Sequence, residues 1–363
     1  MSSSFRDGAF LAMFLCLLGC DGSNVSAAES VAATPRAQVG VYYFDGWAGT
    51  NPMQGKALWA TNAPTHLTQR LVEEFPDREP IWGWRDDQLA IMEQQIDLAA
   101  DHGVAFFVFC WYWHPTQQGV DQDPKHTGLQ LFLKAKNHHR LKFCLLVANH
   151  QGFLIGEASN WTKAADYWMP YFTHPQHVTV DGKPLVILFN PDDSNAPGLT
   201  HLQTMAGKAG LPGLAVAACR GGAAGTGFTH QTHYNITLGY TGGSREHHYS
   251  ELVEAHQKAW AGSKDLPFIP EVTAGWDKRP WEGERGLNQK PGWYFPDRTP
   301  ELFGQFVQSG VDWIDRHPEQ TTKERLLLIY AWNEFGEGGY ITPTRGDPQG
   351  KYLKALKAIL LPE

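Results

Sequence analysis

Residues 89–113 read LAIMEQQIDLAADHGVAFFVFCWYW. In the first half Leu89, Met92, Ile96 and Ala99 recur at helical spacing. Asp86 or Asp87, just ahead, can cap that helix, and Gly103 ends it. The second half, Val104 to Cys110, is an unbroken apolar run rich in Val and Phe, which fits a parallel strand covered on both faces. Runs of the same kind lie at 39–44, 141–147, 184–189, 213–219, 235–240, 268–273 and 326–332. Helical patterns separate most of them: Leu129 to Lys136, Ala164 to Phe172, Leu199 to Ala209, Glu251 to Trp260, Pro300 to Ile314 and, after the last run, Lys351 to Leu360. Between the fifth and sixth runs the helix is least visible. Eight alternations predict an α/β fold, a (β/α)8 TIM barrel in a single domain over residues 38–363; a doubly wound open sheet is the alternative. The long irregular stretches 45–83 and 274–298 would then follow strand carboxyl ends, where barrel active sites are built.

The chain has 363 residues, 42% of them hydrophobic, enough for one large core. Its formal charge of −8 comes without a basic run, which argues against a nucleic-acid partner. Fourteen Trp, twelve Tyr and nineteen Phe favour a carbohydrate ligand, because flat rings stack on sugar C–H faces, although most of them fill the core in any barrel. After the first thirty residues only Cys110, Cys144 and Cys219 remain, at spacings that suit buried free thiols.

Residues 1–20 read as a signal segment: Arg6, then an apolar run from Ala9 to Leu18, too short to span a bilayer. It closes on Leu17-Leu18-Gly19-Cys20, resembling a bacterial lipobox with Cys20 as the acylated residue; cleavage near Ser26-Ala27-Ala28 is the competing reading. Residues 21–37 read as a tether. Either way the protein is expected outside the cytoplasm, as a periplasmic or cell-surface lipoprotein or a secreted protein, touching membrane only through that anchor.

The last strand-like run leads into Asn333-Glu334-Phe335-Gly336-Glu337-Gly338-Gly339. Cleaving a glycosidic bond needs one carboxyl to protonate the leaving oxygen and a second as base or nucleophile. Two Glu three residues apart at a barrel mouth supply both if the chain turns tightly after Glu334, and their proximity pushes their pKa values apart. An ExxE pair on an ordinary helix would only be a solvated face. Here strand termination, Asn333, flanking aromatics and three glycines make Glu334 and Glu337 the catalytic candidates.

Ala331 to Gly338, with Pro343 and Tyr352-Leu353 beyond, resembles the glycoside hydrolase family 99-like proteins, including the WbsX-like group. Tyr42-Tyr43-Phe44, Gln94 to Trp113, Asp181-Gly182-Lys183-Pro184, Gly275-Trp276-Asp277 and Arg279-Pro280 agree, over roughly residues 39–360. The resemblance implies a (β/α)8 barrel and endo-acting, retaining α-mannosidic cleavage without a cofactor. Glu334 would deprotonate the sugar 2-hydroxyl, which attacks the anomeric carbon, and Glu337 would serve as acid and then base. Phe335 and Gly336 depart from the family pattern between the two acids.

Strand-end position nominates further sugar contacts: Tyr43, Asp45, Trp111, Trp113, Asn149, Tyr240, Trp276, Asp277 and Asn333, each of which could instead be a loop anchor or core residue. No metal site is expected: His247-His248 and His230 with His233 lack ligand spacing. The expected partner is an oligosaccharide or polysaccharide substrate. A non-catalytic glycan-binding lipoprotein and a polysaccharide-locus glycosyltransferase are the alternatives.

Overall fold

The computed structural model describes residues 35–50, 63–193, 196–221, 225–239, 242–262 and 265–362. The signal segment with Cys20, and the tether up to residue 34, lie outside the described residues. Ala37 is already buried, and Arg36 bonds Gln308 at 3.0 Å, so the chain joins the barrel slightly ahead of residue 38.

Strand and helix then alternate. β1 (Gln38–Tyr43) precedes α1 (Gln69–Glu74) and α2 (Leu89–Asp101), and β2 (Val104–Trp111) precedes α3 (Gln117–Gln122) and α4 (Thr127–Lys134). β3 (Lys142–Val147) and α5 (Ala158–Phe172) follow, and short β4 (Thr179–Val180) folds back on β5 (Lys183–Leu188) ahead of α6 (Ala196–Lys208). Next come β6 (Ala215–Cys219), β7 (His230–Thr232), α7 (Tyr249–Gly262), β8 (Glu271–Thr273), α8 (Pro300–Arg316) and β9 (Leu326–Tyr330). β10 (Asn333–Glu334), β11 (Gly339–Tyr340) and α9 (Lys351–Leu360) close the chain. Eight strands pair in parallel in the order β7-β6-β5-β3-β2-β1-β9-β8. The two ends meet where Gln231 of β7 bridges Phe268: Gln231 N donates to Pro267 O at 2.9 Å and Ile269 N to Gln231 O at 2.8 Å. The predicted barrel is therefore present, with its ring closed.

Two expectations need correcting. The sixth barrel strand is the three residues His230-Gln231-Thr232 rather than Asn235 to Tyr240, and no helix is described between it and β6. A polar triplet carries no apolar run to betray it, while Leu238 takes a left-handed φ of 59° that ends any strand there. Asp86 and Asp87 do not cap α2 either: its N-cap is Gln88, without a side-chain bond, and Asp86 turns inward to the Tyr43 hydroxyl, 3.1 Å away.

Side chains one strand position apart fall into different cores, as strand period two requires. Phe106, Val108, Cys110 and Tyr112 fill the barrel interior with Tyr42, Phe44, Leu146 and Tyr330. Phe107, Phe109, Trp111 and Trp113 join Tyr43, Leu145 and Val147 in the layer between strands and helices. Helix α8 completes that layer with Phe303, Phe306, Val307, Val311 and Ile314, and it starts where Thr299 Oγ1 accepts from Leu302 N at 3.2 Å. Each such apolar side chain contributes about 1.5–3 kcal/mol on burial. The interior is tight: a Cβ on Gly40 would lie 2.1 Å from the Phe106 ring, so Gly40→Ala forces that ring out of place.

Candidate active site

At the carboxyl end of β9 the Tyr330–Ala331 peptide is cis, and Trp332 N bonds Tyr42 O at 2.8 Å, which keeps the emerging chain beside β1. β10 and β11 then form a small antiparallel hairpin, with Glu334 opposite Gly339. Phe335 N to Asn333 O (2.9 Å) and Glu337 N to Glu334 O (3.2 Å) tighten its turn. Trp281 packs so closely on this turn that a Cβ at Gly336 would sit 2.1 Å from its indole, so a residue larger than glycine is excluded. The result is the predicted convergence: Glu334 and Glu337 border one cavity of about 460 Å³.

Each carboxylate has a tyrosine donor. Tyr234 donates to Glu334 Oε1 at 2.6 Å, and Tyr330 donates to Glu337 Oε2. Glu334 Oε2 has no hydrogen-bond partner among the described residues. Burial, and next the charge of Glu337, hold Glu334 well above the usual carboxylate range against the opposing Tyr234 bond. Burial pushes Glu337 up to about 7, with the Tyr330 bond and Lys278 pulling the other way. The two therefore titrate as a coupled pair, each shifted toward the protonated form. One protonated and one ionised carboxyl is the state glycosidic chemistry requires.

Aromatic walls surround the pair: Phe44, Tyr112, Phe153, Phe189 and Trp281 border the cavity. Its other polar groups are His66, His150, Lys125 and Gln289. Lys125 is held 2.9 Å from Asp123 Oδ1 and lies over the Tyr112 and Phe153 rings at 5.0 and 4.8 Å. Burial, then the Lys125 charge, drop His66 to about 4, so it is neutral at pH 7. As expected, both irregular stretches reach this face: His66 comes from the first, and Trp281, Leu287 and Gln289 from the second.

The other nominated sugar contacts lie elsewhere. Tyr43, Trp111 and Trp113 point outward into the helix layer, and Trp111 stacks on His126 at 5.2 Å. Asp45 is buried and accepts from Gly128 N at 2.6 Å, beside the start of α4. Asn149 ties β3 to β5 by exchanging bonds of 2.8 Å with the Asn190 backbone. Asn333 does the same with Phe44, both at 2.8 Å. Trp276 packs 6.3 Å from the Tyr330 ring without bordering the cavity. Asp277 is clamped by Arg78 (2.5 Å) and Arg279 (2.8 Å) and borders a separate cavity. Tyr240 lies outside the described residues. Tyr234, Lys125, His66 and Gln289 escaped the sequence reading because loops, not strand runs, deliver them. Tyr112 and Phe44, each one strand position from Trp111 and Tyr43, are the residues that face the cavity.

Among the described residues no group of three His, Cys, Asp or Glu is placed to hold a metal ion. His247 and His248 pair with Glu251 (2.9 Å) and Asp297 (3.0 Å). Cys110, Cys144 and Cys219 are buried free thiols.

A family model described as Glycosyltransferase WbsX matches residues 84–356. Among solved structures the chain is similar to a glycoside hydrolase-like protein at 13% identity and TM-score 0.59, over 90% of this chain and 94% of that one. It is also similar to a GH99 endo-alpha-mannosidase from Bacteroides thetaiotaomicron in complex with BIS-TRIS-propane: 15% identity, TM-score 0.55, covering 89% and 95% of the two chains. A second structure of a GH99 endo-alpha-mannosidase from the same organism matches at 14% and 0.55, over 90% and 96%. At such identities the likeness is one of fold. No curated protein matches this chain.

Proposed function

This chain belongs to the WbsX family, and from that premise and its paired acids we propose that it is a retaining glycoside hydrolase cleaving within a glycan chain. The observation that carries the reading is that Glu334 and Glu337 face one aromatic-walled cavity on the catalytic end of the barrel, both held above the usual carboxylate range. The linkage we propose, α-mannosidic, follows the resemblance of the 331–338 segment to family 99-like proteins.

In the proposed mechanism Glu334 takes the proton of the sugar 2-hydroxyl. That oxygen attacks the anomeric carbon, the glycosidic bond breaks, and Glu337 gives its proton to the leaving oxygen. Glu337 then takes a proton from water, the water oxygen opens the epoxide at the anomeric carbon, and Glu334 returns its proton to the 2-oxygen. Two displacements at one carbon retain its configuration. Tyr234 stabilises ionised Glu334, as a base needs. For these roles Glu334 must be ionised and Glu337 protonated when substrate is bound.

Purified protein lacking residues 1–30 is expected to release new reducing ends from a mannose-containing glycan in a panel. Transfer is a second reading, favoured by the glycosyltransferase in the family's description; product formed only with an activated donor would establish it instead. Binding without product from any substrate or donor would leave a non-catalytic glycan-binding protein. We further propose export with a lipid anchor at Cys20. Cys20→Ala is expected to move the protein from the membrane fraction to the soluble one; an unchanged distribution contradicts the anchor.

A further inference from the structure

On the other side of the catalytic hairpin is a second cavity, of about 290 Å³, bordered by Gly338 and Tyr340 and by three arginines, Arg78, Arg279 and Arg298. Asp277 N donates to Glu337 O at 2.6 Å, so this cavity and the catalytic one meet the same short turn.

The charges do not balance. Arg78 and Arg279 share one buried carboxylate, Asp277. Arg78 spends its remaining contacts on the carbonyls of Asp277 (2.9 Å) and Phe335 (3.0 Å). Arg298 Nη1 bonds two carbonyls, Ala274 O at 2.8 Å and Tyr340 O at 3.0 Å. Its guanidinium lies between the Tyr340 and Tyr352 rings, 4.2 and 4.7 Å from their centroids, and no described carboxylate forms an ion pair with it. The other acids bordering the cavity, Glu74 and Asp77, are exposed, and Glu74 is already engaged by Arg70 and Arg285. Three guanidiniums thus meet one buried acid, and Arg298 has no ion-pair partner among the described residues, in a concavity only partly open to water. Flat guanidinium forks match planar or tetrahedral oxyanions.

We infer that this cavity binds an oxyanion, a carboxylate or sulfate, borne by the glycan. The inference deepens the glycosidase reading and rests on it only for the identity of the carrier: the site selects an acidic glycan, seating a uronate or sulfate group beside the turn that holds Glu337.

Calorimetry on the full chain at low ionic strength, with sodium sulfate, glucuronate and glucose as probes, tests it without requiring turnover. Sulfate and glucuronate are expected to bind and glucose not. Arg298→Gln is expected to weaken anion binding at least tenfold, and Arg298→Lys less. Arg279→Gln, which leaves the Arg78–Asp277 pair in place, is the second variant should Arg298→Gln fail to fold, and is expected to weaken binding likewise. No anion binding by the wild-type protein, or equal binding by wild type and whichever of these variants fold, overturns the site. An acidic oligosaccharide and its carboxyl-reduced counterpart then separate the carriers. Tighter binding of the acidic form supports a glycan-borne group, and equal binding of the two forms overturns it. Loss of the glycosidase reading would appear separately, as anion binding without cleavage of any glycan.

Discussion

Two pairs of carboxylates lie on opposite sides of one short strand. Glu334 and Glu337 face the aromatic cavity, while Asn333, the next residue back, points to Asp86 (3.5 Å), whose neighbour in charge is Asp45. Both pairs are held above the usual carboxylate range by burial, Asp86 reaching about 7. Each contains an oxygen without a hydrogen-bond partner among the described residues, Glu334 Oε2 and Asp45 Oδ1. What differs is room. Asp45 is wedged against Gly128, where an added Cβ would lie 2.6 Å from Oδ1, and neither Asp borders the cavity. A perturbed acid is therefore common to structural and catalytic sites, and access by a substrate is what separates them.

The comparison breaks most visibly on turnover. Glu334→Gln and Glu337→Gln are each expected to lower the cleavage rate by about 10²–10⁴-fold, the usual contribution of a general acid or base, with the fold intact. Wild-type rates in both would remove the distinction between the pairs. A smaller effect, about tenfold, is expected for Tyr234→Phe. Tyr234 favours ionised Glu334, so its loss raises that pKa and moves the acid limb of the pH–rate profile to higher pH. A limb that stays put, or moves to lower pH, contradicts Glu334 as the base.

Asp86→Asn should change turnover by less than about threefold, since the acid touches no substrate, yet leave a mark on stability. A carboxyl raised from 3.8 to about 7 by folding stabilises the native state fully below 3.8, and that contribution is lost as pH rises through 7. Thermal melts from pH 4 to 8 are expected to show the wild-type Tm falling more steeply than that of Asp86→Asn, which should be the more stable at pH 8. Parallel curves would mean that Asp86 ionises freely.

Why one pair was legible in the sequence and the other was not is a matter of pattern. Glu334 and Glu337 follow an apolar run and are flanked by glycines, so strand end and tight turn can both be read locally. The eight-fold alternation was legible in the same way, except at His230-Gln231-Thr232, where bonds to neighbours such as Thr232 Oγ1 to Ile269 O (2.8 Å) stand in for apolar patterning. Parity was not legible. In Val104 to Trp113 both faces are apolar because one packs inside the barrel and the other under the helices, so nothing local tells Tyr112, on the cavity, from Trp111, in the mantle. Nor could spacing reveal Tyr234, Lys125 or the arginines around Asp277, which loops bring together from separate parts of the chain.

The most direct test of the paired acids is proton NMR of the first product formed on a cleavable glycan. The new reducing end is expected to carry the anomeric configuration of the linkage that was cut, with the signal absent in Glu337→Gln. An inverted first product, or an undiminished signal from the doubly substituted Glu334→Gln, Glu337→Gln protein, would contradict it.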